Sequence, residues 1–326
     1  MLIAAIALGV AGCGGKQSTL DTHSTQSHDI RTLWWWMLVV AGIVFLGAIA
    51  MLTIGWIRRS RPGLPFFGQS ERVETRLVVL FGMVIPVVVL VALFFVANVY
   101  VIGKTEPPKP GSTAMSVEVT GHQWWWEAHY PGTTAVTANE IHIPAATRVE
   151  VIGNTDDVIH SFWVPELNRK IDLIPGRNNR LLLDADSPGV YRGQCAEFCG
   201  LQHAHMSFEV IAQPPAQFRA WLQNMAADAR PPTTPAEQAG QQDFMADQCA
   251  SCHTIRGTAA QGQIGPDLTH LASRSTIAAL TLPNDAEYLP RWIRDPQHFK
   301  PGNRMPGLNL SDQDVAALVS YLRSLR

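Results

Sequence analysis

The chain has 326 residues, 47% of them hydrophobic and 16% charged, with a formal net charge of −2. That length accommodates two small domains together with membrane segments, and a near-neutral balance without a basic stripe excludes a general nucleic-acid binder. Residues 14–33 are mostly polar, with Ser, Thr, Gln and His, and predict a flexible tether rather than a domain. Trp34 to Ile57 and Leu77 to Ile102 carry no charged residue. At about 24 and 26 residues, each is long enough to cross a bilayer core of about 30 Å, which predicts a two-helix transmembrane hairpin. Pro86 lies inside the second run, where a kink is tolerated if neighbouring helices satisfy the freed backbone groups. The intervening residues 58–76 hold Arg58, Arg59, Arg61, Arg72 and Arg76. By the positive-inside rule they are cytoplasmic, with both chain ends on the outer face.

Residues 112–213 alternate β-branched and polar positions, with turns at Pro131-Gly132, Gly153-Asn154, Pro175-Gly176 and Ser187-Pro188-Gly189. This is the pattern of a Greek-key β-sandwich. Near its end the chain reads Cys195-Ala-Glu-Phe-Cys199-Gly-Leu-Gln-His203-Ala-His205-Met206, and His160 lies upstream. Thiolate, imidazole and thioether together select copper over magnesium, calcium or manganese. A mononuclear blue copper site needs one Cys, two His and a weak axial Met, so a second thiol is left over. Its simplest use is to bridge a second copper ion, giving a binuclear electron-transfer centre. A Cys195–Cys199 disulfide, a copper-chaperone site and a zinc site compete with this reading. The disulfide has no need of His and Met at these offsets, and the other two leave Met206 unexplained.

A short helix from about Pro215 to Ala229 and a semi-stiff stretch, Arg230-Pro-Pro-Thr-Thr-Pro-Ala, form the segment 214–237 before a second signature. In Cys249-Ala-Ser-Cys252-His253, two thiols can form thioethers to haem vinyl groups and the imidazole can take one axial position on iron. No cysteine follows Cys252 to complete a zinc site, and a redox-active Cys-x-x-Cys has no need of the His. Met305 is the only methionine after His253, which makes it the candidate for the other axial position, with His270 and His298 as competitors. Ser311 and the apolar spacing after it predict a C-terminal helix, so residues 238–326 read as an all-α domain.

On these residues, Val117 to Val210 resembles the cupredoxin-like copper domain of cytochrome c oxidase subunit II, which carries the CuA centre. The resemblance implies Cys195 and Cys199 as bridging thiolates, His160 and His203 as imidazole ligands, Met206 as the weak thioether and the Glu197 carbonyl as the opposite ligand. It selects His203 over His205. Gly121-His-Gln-Trp-Trp-Trp-Glu127 resembles the family's aromatic run, implying Trp124 as the point where an electron arrives from cytochrome c. The plainer reading is that these tryptophans fill a sheet face, and strand alternation sends Trp124 and Trp126 to one side and Trp125 to the other. Lys170 to Arg177 resembles the loop facing subunit I, and Glu197 the residue whose side chain meets a magnesium ion there. Glu74 resembles the glutamate at the mouth of a proton pathway, with a solvated helix end as the alternative.

The span 238–326 resembles a class I cytochrome c, which implies that the Pro266 carbonyl accepts the second ring N–H of His253. Val10-Ala-Gly-Cys13 resembles the cleavage box of bacterial lipoproteins, implying a signal peptide over 1–13 and a lipidated Cys13. It departs from that pattern because Met1 to Val10 contains no Lys or Arg. Together the resemblances imply subunit II of a caa3-type oxidase in a bacterial cytoplasmic membrane, with both redox domains periplasmic. Its partners would be subunits I and III and an external donor such as a cytochrome c or a quinol-cytochrome c reductase. Electrons would pass from haem c through the binuclear copper to subunit I, where oxygen reduction is coupled to proton translocation, with no oxygen-reducing site in this chain. A CuA-bearing subunit of a nitric oxide reductase and a stand-alone membrane-bound electron carrier are the alternatives.

Overall fold

The computed structural model describes residues 15–59 and 71–326. Cys13, the cleavage box before it and Arg61 lie outside the described residues. The chain divides into two compact units: His28–Glu106, and the residues before it together with Pro107–Arg326. The first is made by α1 (Thr25–Arg59) and α2 (Glu71–Thr105), both long and apolar enough to cross a membrane. Neither buries any of its apolar window, so these are not core helices of a soluble domain. They have the surface expected of membrane-embedded helices. In α2, a π-type turn over Leu80–Val84 comes just before Pro86, with the Ile85 N–H bonded to the Leu80 carbonyl. The widened turn gives room to a residue that lacks an N–H and would crowd the carbonyl four residues back.

In the second unit, ten strands form two five-stranded sheets. They are β1 (Met115–His122), β2 (Trp125–His129), β3 (Val136–Ala138), β4 (Glu140–Pro144), β5 (Val149–Thr155), β6 (His160–Trp163), β7 (Ile171–Leu173), β8 (Asn179–Leu183), β9 (Gly189–Cys195) and β10 (Ser207–Gln213). The sheet orders are β3-β2-β1-β5-β8 and β4-β10-β9-β6-β7, an arrangement consistent with a cupredoxin-like fold. Alternating residues such as Val117 and Val119 point into one core shared by both sheets. At its centre Trp126 packs against Phe208 and Phe162, at 5.0 and 5.9 Å between ring centroids. Trp124 and Trp126 both belong to this core, whereas Trp125 stacks outside it on His122.

The sequence reads as a flexible tether before α1, but the structure has residues 17–24 bonded to the copper domain. The Gln17 N–H donates to the Glu166 carboxylate at 2.7 Å, the His23 N–H to the Glu166 carbonyl at 2.9 Å and the Ser24 hydroxyl to the Leu167 carbonyl. Thr22, Ser24, Gln26 and Ser27 are buried. Polar composition signals a shortage of apolar area to bury, yet this segment is held by hydrogen bonds to a turn, which hydropathy does not register.

After β10, α3 (Pro215–Met225) lays Phe218 and Trp221 against Tyr130 of β2's end. The haem domain follows with α4 (Pro235–Ala246), α5 (Cys249–Cys252), a two-residue ladder of β11 (Thr276–Ile277) and β12 (Leu282–Pro283), α6 (Tyr288–Arg294), α7 (Pro296–Phe299) and α8 (Asp312–Ser324). Capping boxes start α4 at Thr234 and α8 at Ser311, the latter as its sequence predicts. These two helices cross at Gly240, where a Cβ would lie 2.0 Å from the Ala317 carbonyl oxygen. The linker is tied down at its start, because Arg256 donates to the carbonyls of Met225 and Ala227.

Candidate copper and haem centres

The sheet register assembles the copper donors. β6 pairs with β9 so that Phe162 opposes Cys195, and the Cys195 N–H bonds to the Met206 carbonyl at 3.0 Å. His160 therefore stands beside Cys195, and the loop from 196 to 205 returns over both. The His160 Nδ1 lies 3.8 Å from the Cys195 Sγ, and the His203 Nδ1 3.6 Å from the Cys199 Sγ. The two sulfurs are 3.8 Å apart, with the Met206 Sδ 3.7 Å from Cys199 and the Glu197 carbonyl 3.2 Å from Cys195. Both thiols are free, so the disulfide reading is not what this arrangement contains. His160, Cys195 and Cys199 cluster closely, His203, Met206 and the Glu197 carbonyl lie against the two sulfurs, and a soft set of this kind fits copper.

His205 is exposed, and its Nδ1 bonds the Gln202 side-chain amide oxygen Oε1 at 2.9 Å. Asp157, three residues before His160, carries no signal in the sequence of the part it plays. Its carboxylate lies 2.8 Å from the His160 Nε2, which leaves Nδ1 facing the sulfur. Such a carboxylate partner orients a ligating imidazole and raises its basicity. Burial acts to raise the Asp157 pKa, but the bonds from His160 and from the Gln123 and Val158 amides outweigh it and hold it well below the usual carboxylate range. Burial likewise opposes charge on His160, and its bonds to Asp157 and Cys195 win, raising its pKa. The close contact between the two sulfurs, with His160 and nearby backbone groups, holds the Cys195 thiol below its ordinary range against the cost of burial. The same contact, together with burial, pushes the Cys199 thiol up.

Two glycines make room for the haem motif. A Cβ at Gly262 would meet the Cys252 backbone at 2.5 Å, and one at Gly265 would meet the His253 ring at 2.5 Å. His253 follows the single turn of α5, and its Nδ1 donates to the Pro266 carbonyl at 2.8 Å, leaving Nε2 for iron. Burial lowers the His253 pKa, which keeps the ring neutral and able to ligate. Cys249, Cys252, His253 and Met305 all line one cleft with about 1480 Å³ of free space, part of it open to solvent. His253 is its only histidine and Met305 its only methionine among the described residues. His270 instead bonds the Ala227 carbonyl, and His298 is exposed. The cleft is walled on one side by the copper domain, through Gln123, Trp124, Trp125 and Asn139. The Trp124 indole N–H in turn donates to the Cys199 carbonyl at 3.0 Å. Glu74 is exposed near the N-terminus of α2, where a negative charge suits the helix dipole.

The two sites and two apolar helices define the class: a redox chain with a copper-binding cupredoxin-like domain and a c-type haem domain. Residues 134–213 match the family described as cytochrome c oxidase subunit II, periplasmic domain, and residues 237–326 match cytochrome c. Over 328 aligned residues the chain is 35% identical to the cytochrome c oxidase subunit 2 of Alkalihalophilus pseudofirmus, covering 98% of this chain and 95% of that protein. It is 29% identical to the Bacillus subtilis subunit 2, covering 100% and 97%. The crystal structure of the periplasmic domain of subunit II of cytochrome oxidase of Bradyrhizobium japonicum matches 37% of this chain and 96% of that one, at 29% identity and a TM-score of 0.35. The chain belongs to the cytochrome c oxidase subunit II family. It carries the copper and haem c sites of an oxidase subunit and has an electron-transfer role.

Proposed function

We propose that the chain is subunit II of a caa3-type terminal oxidase, in which the electron donor is joined to its acceptor. The observation that carries this reading is Trp124: one indole both walls the haem cleft and bonds the backbone of Cys199. Bound copper and haem c supply one-electron carriers, and the chain supplies their positions. His160, Cys195, Cys199, His203, Met206 and the Glu197 carbonyl hold the binuclear copper. Cys249 and Cys252 anchor the haem, with His253 and Met305 on its iron and Trp124 where electrons reach the copper domain. Joining donor to acceptor replaces a bimolecular encounter with an intramolecular one at high effective concentration.

In the same reading the two helices span the bacterial cytoplasmic membrane, with the redox domains outside. Subunits I and III are the membrane partners, and oxygen reduction takes place in subunit I. Glu74 lies at the mouth of a proton pathway, and the Glu197 side chain meets magnesium at the subunit I boundary.

The test is metal content and an EPR spectrum of the partly oxidised, full-length chain. Two coppers per haem with hyperfine splitting from two equivalent copper nuclei are expected, and one copper with single-nucleus splitting overturns the bridge. Cys199→Ser is expected to abolish the binuclear spectrum while the haem spectrum persists. A co-purifying oxidase-type integral subunit supports the caa3 reading. A nitric-oxide-reducing partner, or none, favours the two alternatives.

A further inference from the structure

Building on that reading, we propose that Lys300 is a positioning residue that seats the haem domain on the copper domain with its cleft against Trp124. Lys300 directly follows α7, on the segment that leads to Met305, and it is only 3% exposed. Its ammonium donates to the carbonyls of Trp124 at 2.8 Å, His205 at 2.9 Å and Ala278 at 3.3 Å. The first two belong to the copper domain and the third to the haem domain. No carboxylate forms an ion pair with it among the described residues. A buried ammonium without a counter-ion persists where each proton finds an acceptor, and here three protons meet three carbonyls. Burial still brings its pKa down to about 7.

The two copper-domain acceptors sit at informative places. Trp124 carries the indole that reaches Cys199, and His205 lies between His203 and Met206 in the ligand loop. One side chain from the haem domain therefore ties the cleft wall and the copper loop together. Its neighbours extend the seam: Gln202 donates to the Pro301 carbonyl at 2.8 Å, and Arg304 lies 3.8 Å from the Asp157 carboxylate. A methionine at 300 would fill similar volume but leave three carbonyls without their donor, so the expected cost falls on the seating of the domains rather than on either fold.

The test uses the full chain in detergent, loaded with copper and haem. In Lys300→Met, copper and haem content and both spectra are expected to match the parent. Hydrogen exchange at the amides of 123–126, 203–206 and 277–279 is expected to lose protection. After flash reduction of the haem by an external photoreductant, the rate at which the copper spectrum becomes reduced is expected to fall at least tenfold. Unchanged protection and an unchanged rate, with both spectra intact, overturn the proposal. If Lys300→Met fails to load, Lys300→Gln keeps two N–H donors and is expected to show intermediate protection and rate. Failure of both variants to load overturns a positioning role in favour of a purely structural one. A parent chain without the two-copper spectrum overturns the functional reading itself, a failure visible before any variant is made.

Discussion

The copper and haem centres are built by opposite means. Copper donors come mostly from one short loop between two paired strands, so that the sheet register holds them, and a carboxylate behind His160 aims the imidazole. The proposed haem ligands lie 52 or more residues apart at Cys252–His253 and Met305, and the cleft between them depends on helices packed through glycine contacts. A ladder of backbone bonds tolerates changes in side-chain volume better than a helix crossing that has room only for hydrogen. The haem centre should therefore be the more fragile to packing and the copper centre the more sensitive to charge.

The sharpest way to break this contrast is Gly240→Val. With a Cβ 2.0 Å from the Ala317 oxygen, the α4–α8 crossing must open. A loss of about 3 kcal/mol or more is expected for the haem domain, from overpacking against backbone that cannot rotate away. Haem incorporation and copper content measured on one preparation should show the first collapsing and the second retained. Loss of both together would mean that the two domains fold as one unit.

A second effect, specific to the copper domain, follows pH. His142 is buried, stacked on Trp221 at 3.9 Å, and burial lowers its pKa to about 4. The unfolded chain takes up this proton near pH 6.5 and the folded one only near 4, so stability is lost as pH falls through that window. The full difference is about 3 kcal/mol by linkage. Thermal unfolding of the copper domain at pH 7 and pH 4.5 should show this loss in the parent and a smaller one in His142→Phe. Equal pH dependence in the two would remove His142 as the cause.

The smallest expected effect sharpens the electrostatic half of the contrast. Asp157→Asn keeps a hydrogen-bond acceptor beside His160 but removes the charge, and copper affinity is expected to fall 10- to 100-fold. Copper titration against a competing chelator measures this, with the haem spectrum as the unaffected control.

Much of this arrangement can be read from the chain alone, for physical reasons that differ by residue. Cys195 to Met206 is legible because its donors are neighbours in sequence, and Cys249 to His253 because covalent haem attachment demands that spacing. The structure brings the indicated copper donors together and puts His253 and Met305 on one cleft. The apolar runs are legible because bilayer thickness sets a minimum length. Lys300 is not legible: its acceptors are main-chain carbonyls 176, 95 and 22 residues away, and a carbonyl leaves no signature in residue type. The attachment of residues 17–24 is hidden for the same reason, since its partners are chiefly the backbone and one carboxylate around 166–167. Composition reports what a segment can bury, not which polar groups will meet it.

The pairing of Cys195 with Met206 also bears on assembly. Ordering a loop costs about 1–2 kcal/mol of backbone entropy per residue, and here the β9–β10 ladder has already met that cost at both ends of the loop. The sheet thus fixes both ends of the ligand loop, and only the stretch between them is left for copper to organise.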